Sequence, residues 1–442
     1  MTSIASSQSA PAVRPEGLQP VVVVGLGFAG LPTAVAIADA GLATVGLDID
    51  PGKVERINAS EAVSGVASES LSRLIDTGLL RATTDASVIR EAKVVLISVP
   101  TPVDTDGNPD ERMLSEACHV VLQNLSEGAL VILQSTVVPG ATRRHLVQPL
   151  EASGRVVGRD AFVAFSPERI NSGDPIFQVS NTAKLVAGTT EACLELGIVF
   201  VSAFVDSVHA APSLEVAELA KLVENTFRFI NISFVNELAV LCDRLGIRVW
   251  DVIAAAATKP FAFMAHYPGP GIGGDCIPVS PRYLQASATE HGLRGEMIEA
   301  GFRATDAMPN HVVDRCAAEL GVDPRDLSGI RILVVGLAYK PGVADTRQSP
   351  AVPVIRALLK RGAEVTVYDP LVEEIQVDGT QFHSIDLHGD WPKGAAGADA
   401  AIVITPHRSI DYEALGSQIE LILDTRNALA ADFPASGRVV PL

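Results

Sequence analysis

One thiol and two polar side chains are the residues of this sequence best suited to covalent chemistry. Cys276 lies in GPGIGGDCIPVSPRYL (269–284), behind Gly269, Gly271, Gly273 and Gly274 and ahead of Ile277 and Pro278. Glycines let backbone approach a ligand closely, so the stretch reads as a loop folded over something small. The competing reading is a turn around a buried cysteine. Lys221 and Asn225 stand four apart in a long helical pattern and share one face. They are either a solvated polar stripe or part of a site, and Asn231 inside the apolar run TFRFINISFV, with Asn225 just before it, needs a partner.

A second chemistry is written near the start. VVVVGLGFAG (21–30) reads as a buried strand, a tight glycine turn and a helix that Gly41 closes; the next strand, TVGLD, ends in Asp48. Gly25, Gly27 and Gly30, with an acid 18 residues after the last of them, form the dinucleotide-binding fingerprint. The glycines let backbone amides reach a pyrophosphate at the helix N-terminus, and Asp48 can accept hydrogen bonds from ribose hydroxyls. The same carboxylate would repel a 2′-phosphate, which predicts NAD rather than NADP. Further strands, KVVLISVP (93–100) and ALVILQST (129–136), end where a doubly wound sheet presents its ligand edge. Thr101, Ser135 and Thr136 are therefore candidate cofactor neighbours or, as most such residues are, cap and turn hydroxyls.

Hydride transfer beside a thiol suggests oxidation through a covalent intermediate. A thiolate adds to an aldehyde, the thiohemiacetal loses hydride to give a thioester, and water releases a carboxylate. A cation such as Lys221 favours the thiolate. With the Asn225 amide it could also stabilise the oxyanion, where one donor is typically worth ~3 kcal/mol.

The elements that must position these groups follow from length and pattern. A chain of 442 residues suggests two to four domains. The pattern predicts an α/β protein: two Rossmann-like doubly wound domains joined by a long central helix and a helical region. Their expected spans are 20–210 for the NAD-binding domain, 211–315 for the helical domain with the cysteine loop, and 328–442 for the second α/β domain. IRILVVGLAYK (330–340) and GAEVTVYDP (362–370) echo the first unit. This second copy lacks the later fingerprint glycines, however, and carries Tyr339 and Lys340 instead. Lys340 suits a phosphate as a point charge, and Arg347 suits bidentate phosphate contact. The helical run LEVAELAKLVENTFRFINISFVNELAVLCDRLG (214–246) has more apolar positions than one core face needs, which predicts a two-fold homodimer seam.

Composition excludes some partners. A net charge of −18 argues against nucleic acid and anionic membrane. Five cysteines, at 118, 193, 242, 276 and 316, are odd in number and lack paired metal spacing, which predicts no metal site and a reducing, cytoplasmic setting. The uncharged run 20–38 is broken by Gly25, Gly27, Gly30 and Pro32 and lacks a basic leader, so it is not read as a membrane span or signal. The Ser, Ala and Pro-rich tail 1–19 is expected to be disordered.

Six motifs then fall in order: GLGFAGLP, STVVPGAT, FSPERINSGD, KLVENTFRFINISFVNELA, GPGIGGDCIP and GLAYKPGVADTRQSP. Together they resemble the UDP-glucose/UDP-mannuronate dehydrogenase family over almost the whole chain after the tail. The resemblance implies NAD-dependent oxidation of a UDP-sugar at C6, from alcohol to carboxylate, giving a uronic acid for cell-surface polysaccharides or glycosylated natural products. It implies Cys276 as nucleophile and Lys221 and Asn225 as holders of the oxyanion and sugar. Thr136 and Glu168 would flank the hydrolytic water, with Glu168 the general base and also a substrate contact. Tyr267, Gly269 and Gly271 would line the loop over the sugar diphosphate, Lys340 would touch substrate, and Arg347 would lie on the cofactor side.

Two positions depart from the family pattern. The usual aspartate four residues after the nucleophile is Ser280, and the usual histidine or serine before it is Asp275. Neighbours in an extended loop point in opposite directions, so Asp275 is not expected to replace the missing carboxylate, although its charge at about 4 to 6 Å would disfavour the thiolate. Thioester hydrolysis is the step at stake. TKPFAFMAHYPGPGIGG (258–274) with CIPVSPRYL resembles the branch acting on UDP-N-acetylhexosamines. UDP-N-acetylglucosamine is favoured, with UDP-N-acetylmannosamine, UDP-N-acetylgalactosamine and UDP-glucose open. The alternatives are an enzyme that stalls after two electrons because of Ser280, and a non-catalytic nucleotide-sugar-binding protein.

Overall fold

The structure is a computed structural model describing residues 17–170, 176–385, 395, 397–429 and 437–442. Most of the expected disordered tail, and residues 171–174 of the FSPERINSGD motif, lie outside the described residues. The chain divides into two compact units, one made of residues up to 223 with 282–290, the other of 224–281 with 291–442.

The first unit is built on an eight-stranded sheet. Its strands are β1 (Val21–Val24), β2 (Thr44–Leu47), β3 (Leu80–Thr83), β4 (Val94–Ile97), β5 (Leu130–Leu133), β6 (Phe162–Phe165), β7 (Lys184–Gly188) and β8 (Val208–Ala210), in the order β3-β2-β1-β4-β5-β6-β7-β8. Every residue of β1, β4 and β5 is buried, as expected of parallel strands covered on both faces. The pairs from β3 to β6 are parallel and only β6 with β7 is antiparallel. Helix Gly30–Asp39 follows β1 and packs Leu31, Ala34 and Ile37 into the core with Val21 and Val23.

The second unit repeats the plan on a smaller scale. Its parallel sheet contains β9 (Arg331–Val335), β10 (Glu364–Tyr368), β13 (Ala400–Val403), β14 (Leu421–Asp424) and β15 (Arg438–Pro441), in the order β10-β9-β13-β14-β15, and β11 (Glu374–Val377) pairs with β12 (Thr380–His383). The repeat extends to single contacts. Asp48, just past β2, accepts from the Leu26 amide at 2.8 Å, and Asp369, just past β10, accepts from the Leu337 amide at 2.6 Å. Gly25 and Gly336 both have φ of +89°, and a Cβ on either would meet the backbone carbonyl oxygen of a neighbouring strand end, Ser98 or Thr405.

The long helix, Leu214–Leu245, contributes to both units and is followed by helix Val249–Ala257, the cysteine loop, helix Ser280–Glu290 and helix Glu296–Leu320. No helix among the described residues is long and apolar enough to cross a membrane.

Candidate active site

The glycine turn after β1 separates its three glycines by role. A Cβ on Gly30 would overlap the Gly25 carbonyl oxygen, and Gly25 is confined by Ser98, so these two serve packing. Gly27 has nothing within 4 Å of a built Cβ. The space a side chain would fill is open at the start of a helix whose N-terminus has no side-chain cap. Backbone N–H groups at such an end suit a pyrophosphate, so the residues present fit the dinucleotide that the fingerprint predicts. Asp48 is buried and accepts from Leu26 N at 2.8 Å, Asp50 N at 3.0 Å and Lys53 Nζ at 2.9 Å. It therefore holds the turn's shape as well as standing where a ribose is expected.

The hydroxyls at the strand ends differ among themselves. Ser135 accepts from Val99 N at 2.9 Å and donates to Val99 O at 2.8 Å, which ties the end of β4 to that of β5. Its hydroxyl is engaged by backbone. Thr101 lies by the buried Tyr283, whose hydroxyl also donates to Pro102 O at 3.1 Å. Thr136 is half-buried and forms no hydrogen bond among the described residues. Glu218, on the long helix, accepts from Gly140 N at 2.6 Å and Thr142 N at 2.9 Å and so pins the STVVPGAT turn. Burial pushes the Glu218 carboxyl up, against those backbone bonds.

Glu168 is more confined than its expected role as a free base implies. Oε2 accepts from Lys184 Nζ at 2.8 Å and Thr33 Oγ1 at 3.1 Å, and Oε1 accepts from Arg169 N at 2.8 Å and Ile170 N at 2.9 Å. Lys184 and the two amides are committed to the carboxylate, while the single Thr33 hydroxyl proton is shared with Ala29 O at 2.9 Å. Burial would raise its pKa, but the Lys184 charge and hydrogen bond, with the two amides, hold it below the ordinary carboxylate value. Lys184 is 2% exposed, a buried cation that sequence reading did not single out.

Lys221 and Asn225 are both buried on the long helix, at 9% and 7% exposure. Asn225 Nδ2 donates to Ser280 Oγ at 2.8 Å, and Asn231 Nδ2 donates to Phe227 O at 2.7 Å within the helix. Ser280 is thus the group that orients the Asn225 amide. Asn236 accepts from Gly269 N at 3.0 Å and fixes the start of the cysteine loop to the helix.

The loop glycines make room for neighbours of the second unit. A Cβ on Gly269 would strike the Arg426 guanidinium, and one on Gly273 or Gly274 would press on Tyr339. Gly271 has φ of +144° and Gly274 of +87°, a region that favours glycine. Tyr267 stacks on Trp250 with centroids 5.6 Å apart. Lys340 is half-buried beside Tyr339, in the turn after β9. Arg426, which sequence reading missed, donates Nε to Ile404 O at 3.1 Å, and burial draws its pKa down to about 10 against the charge of Asp424.

Cys276 is exposed, whereas Cys118, Cys193, Cys242 and Cys316 are buried, so the reading as a turn around a buried cysteine does not hold. The expectation for Asp275 also changes. Residues 274–279 are bent rather than extended, which brings Cys276 Sγ to 3.6 Å from Asp275 Oδ1. Asp275 Oδ2 pairs with Arg347 Nη1. The other side of Arg347 is held by Asp345, with Nε 3.0 Å from each carboxylate oxygen and Nη2 2.6 Å from Oδ2. The Arg347 guanidinium is thus shared by two carboxylates of its own unit, Asp275 and Asp345.

Comparison with known proteins gives the following. The NAD binding, central and UDP binding domains of the UDP-glucose/GDP-mannose dehydrogenase family match residues 19–200, 215–306 and 333–431. Protein CapL of Staphylococcus aureus is 34% identical over 93% of this chain and 96% of its own length. The UDP-N-acetyl-D-glucosamine 6-dehydrogenase of Pseudomonas aeruginosa is 36% identical over 80% of this chain and 83% of its own. Among solved structures, the UDP-D-ManNAc dehydrogenase of Pyrococcus horikoshii aligns with a TM-score of 0.83 at 29% identity, covering 95% of this chain and 98% of that one.

Proposed function

The chain belongs to the UDP-glucose/GDP-mannose dehydrogenase family, and from that premise we propose that it oxidises a UDP-N-acetylhexosamine, with UDP-N-acetylglucosamine favoured, from C6 alcohol to carboxylate. It is an NAD-dependent nucleotide-sugar dehydrogenase. The observation that carries the proposal is the exposed Cys276 thiol on a loop whose glycines sit against Tyr339 and Arg426.

Bound NAD supplies the hydride acceptor for both oxidations. Gly27 and the uncapped start of helix Gly30–Asp39 hold its pyrophosphate, and Asp48 takes the ribose hydroxyls. Cys276 adds to the C6 aldehyde and later carries the thioester. Lys221 and Asn225 donate to the oxyanion, the latter oriented by Ser280. Thr136 stands by the hydrolytic water, and Glu168 with Lys184 keeps the FSPER turn in register rather than exchanging protons freely. Tyr267, Gly269, Gly271, Lys340 and Arg426 line the nucleotide-sugar site, with the two cations balancing the diphosphate.

The domain roles follow the same order: NAD binding at 20–210, the cysteine loop in a helical region at 211–315, and UDP binding at 328–442. A two-fold homodimer forms along the long helix, supported by the exposure of Phe227, Phe234, Leu241 and Leu245 at 47%, 60%, 52% and 60%. The enzyme works in the cytoplasm and its uronic acid feeds a surface polysaccharide or glycosylated product.

The test is the NADH yield per sugar across a panel of UDP-sugars. UDP-N-acetylglucosamine should give two, and Cys276→Ala should abolish turnover while keeping UDP-sugar binding. Wild-type turnover in that variant, or no NADH from any UDP-sugar, would overturn the reading.

A further inference from the structure

The family's usual carboxylate after the nucleophile is Ser280 in this chain, and Ser280 is 1% exposed with its oxygen already taken by Asn225 Nδ2. Glu168 is only 12% exposed, and it accepts from the buried Lys184 ammonium and from two backbone amides, which hold it in the charged form. Neither is free to take a proton from water. Asp275 is also ion-paired, through Oδ2 to Arg347, but it differs in exposure and in the donor on its other oxygen, the Cys276 thiol, which thioester formation removes. Its Oδ1 faces the sulfur of Cys276 at 3.6 Å and its side chain is 46% exposed, within reach of solvent.

We propose that Asp275 is a catalytic residue of the hydrolytic step, the general base that activates water against the thioester on Cys276, and that Arg347 is the positioning residue that aims it. The proposal rests on Cys276 carrying the acyl group. Arg347 takes Oδ2 of Asp275 and leaves Oδ1 toward the sulfur. Arg347 is itself clamped by three short contacts to Asp345, and its carbonyl oxygen accepts from Gly274 N at 3.1 Å. The backbone on one side of Asp275 and the carboxylate itself are therefore fastened to the same residue. Tyr339, packed against Gly273 and Gly274, closes the other flank.

The step balances without any redox partner. The water oxygen bonds to the thioester carbon while one of its protons passes to Asp275 Oδ1. The tetrahedral intermediate expels the Cys276 sulfur with the electron pair of the C–S bond. The proton on Asp275 then passes to the departing thiolate, and the new carboxylic acid releases its proton to solvent.

The test uses the full-length enzyme with Asp275→Asn, NAD and UDP-N-acetylglucosamine, followed by rapid-mixing absorbance and by mass spectrometry after acid quench. General-base catalysis typically contributes about 10²–10⁴-fold, so steady-state turnover should fall by roughly 100-fold or more. A burst of two NADH per site should persist, which shows that the variant is folded and competent in both oxidations, and the acyl adduct should accumulate on Cys276. Hydroxylamine attacks thioesters without a base and should restore release as the hydroxamate, an outcome that a merely structural defect would not give. Turnover within threefold of wild type would overturn the assignment, as would loss of the burst together with the steady state. If instead no adduct forms and Cys276→Ala turns over, the thioester reading itself has failed.

Discussion

Replacing Lys184 by methionine should open the first unit locally, and the structure sets the size of the effect. The ammonium is 2% exposed and lies 2.8 Å from Glu168 Oε2, whose side chain is 12% exposed, so water cannot take its place. The remaining partners of Glu168 are a hydroxyl and two amides, none with a formal charge. An exposed pair would be worth below about 1 kcal/mol, but removing one member of a buried pair typically costs about 3–5 kcal/mol. Amide hydrogen exchange in Phe162–Phe165 and Lys184–Gly188 should therefore quicken by roughly two to four orders of magnitude, within the limit set by global unfolding. The pH dependence gives a second readout. The folded-state pKa of Glu168 lies below its unfolded value, so its contribution is present at neutral pH and is lost as pH falls through the folded value. Lys184→Met removes the main lowering influence and should blunt that acid-side loss. The double variant Lys184→Met with Glu168→Leu should recover part of the stability. Exchange within threefold of wild type, with unchanged acid dependence, would refute the argument.

Three further outcomes are expected. Gly27→Ala should leave thermal stability nearly unchanged but weaken NAD binding by calorimetry at least tenfold, whereas Gly30→Ala, whose Cβ would overlap the Gly25 carbonyl oxygen, should lower the melting temperature outright. Ser280→Asp should give no gain in steady-state turnover, because it places a carboxylate at a site 1% exposed while Asp275 already serves the water; a several-fold gain would count against Asp275. Phe234→Glu, at a residue 60% exposed on the long helix, should shift light scattering at micromolar concentration from dimer to monomer without unfolding the chain.

What could be read from sequence was local. Four valines, a glycine turn and an acid after the next strand dictate β1, its helix and Asp48, and glycine density marks the loop around Cys276, although the exposure of the thiol is seen only in the structure. What escaped depends on distance along the chain. Asp275 and Arg347 are 72 residues apart and Glu168 and Lys184 are 16 apart, so neither pairing leaves a periodic trace. Arg426 was missed for the same reason, since its meaning comes from Gly269 far upstream. The one local misreading, that Asp275 points away from the thiol, came from assuming extended backbone where the chain bends.

The matching contacts of Asp48 and Asp369 bear on how a duplicated fold can change its ligand. In each copy the strand-end carboxylate grips the amide of the residue after the turn glycine, so the turn keeps its shape using the chain's own atoms. A copy built this way does not need a dinucleotide in order to fold. It is free to lose Gly27 and Gly30 equivalents, gain Tyr339 and Lys340, and try another phosphate ester while remaining intact throughout. A turn shaped only by its bound cofactor would have had no such route, because the first loss of affinity would also have been a loss of structure.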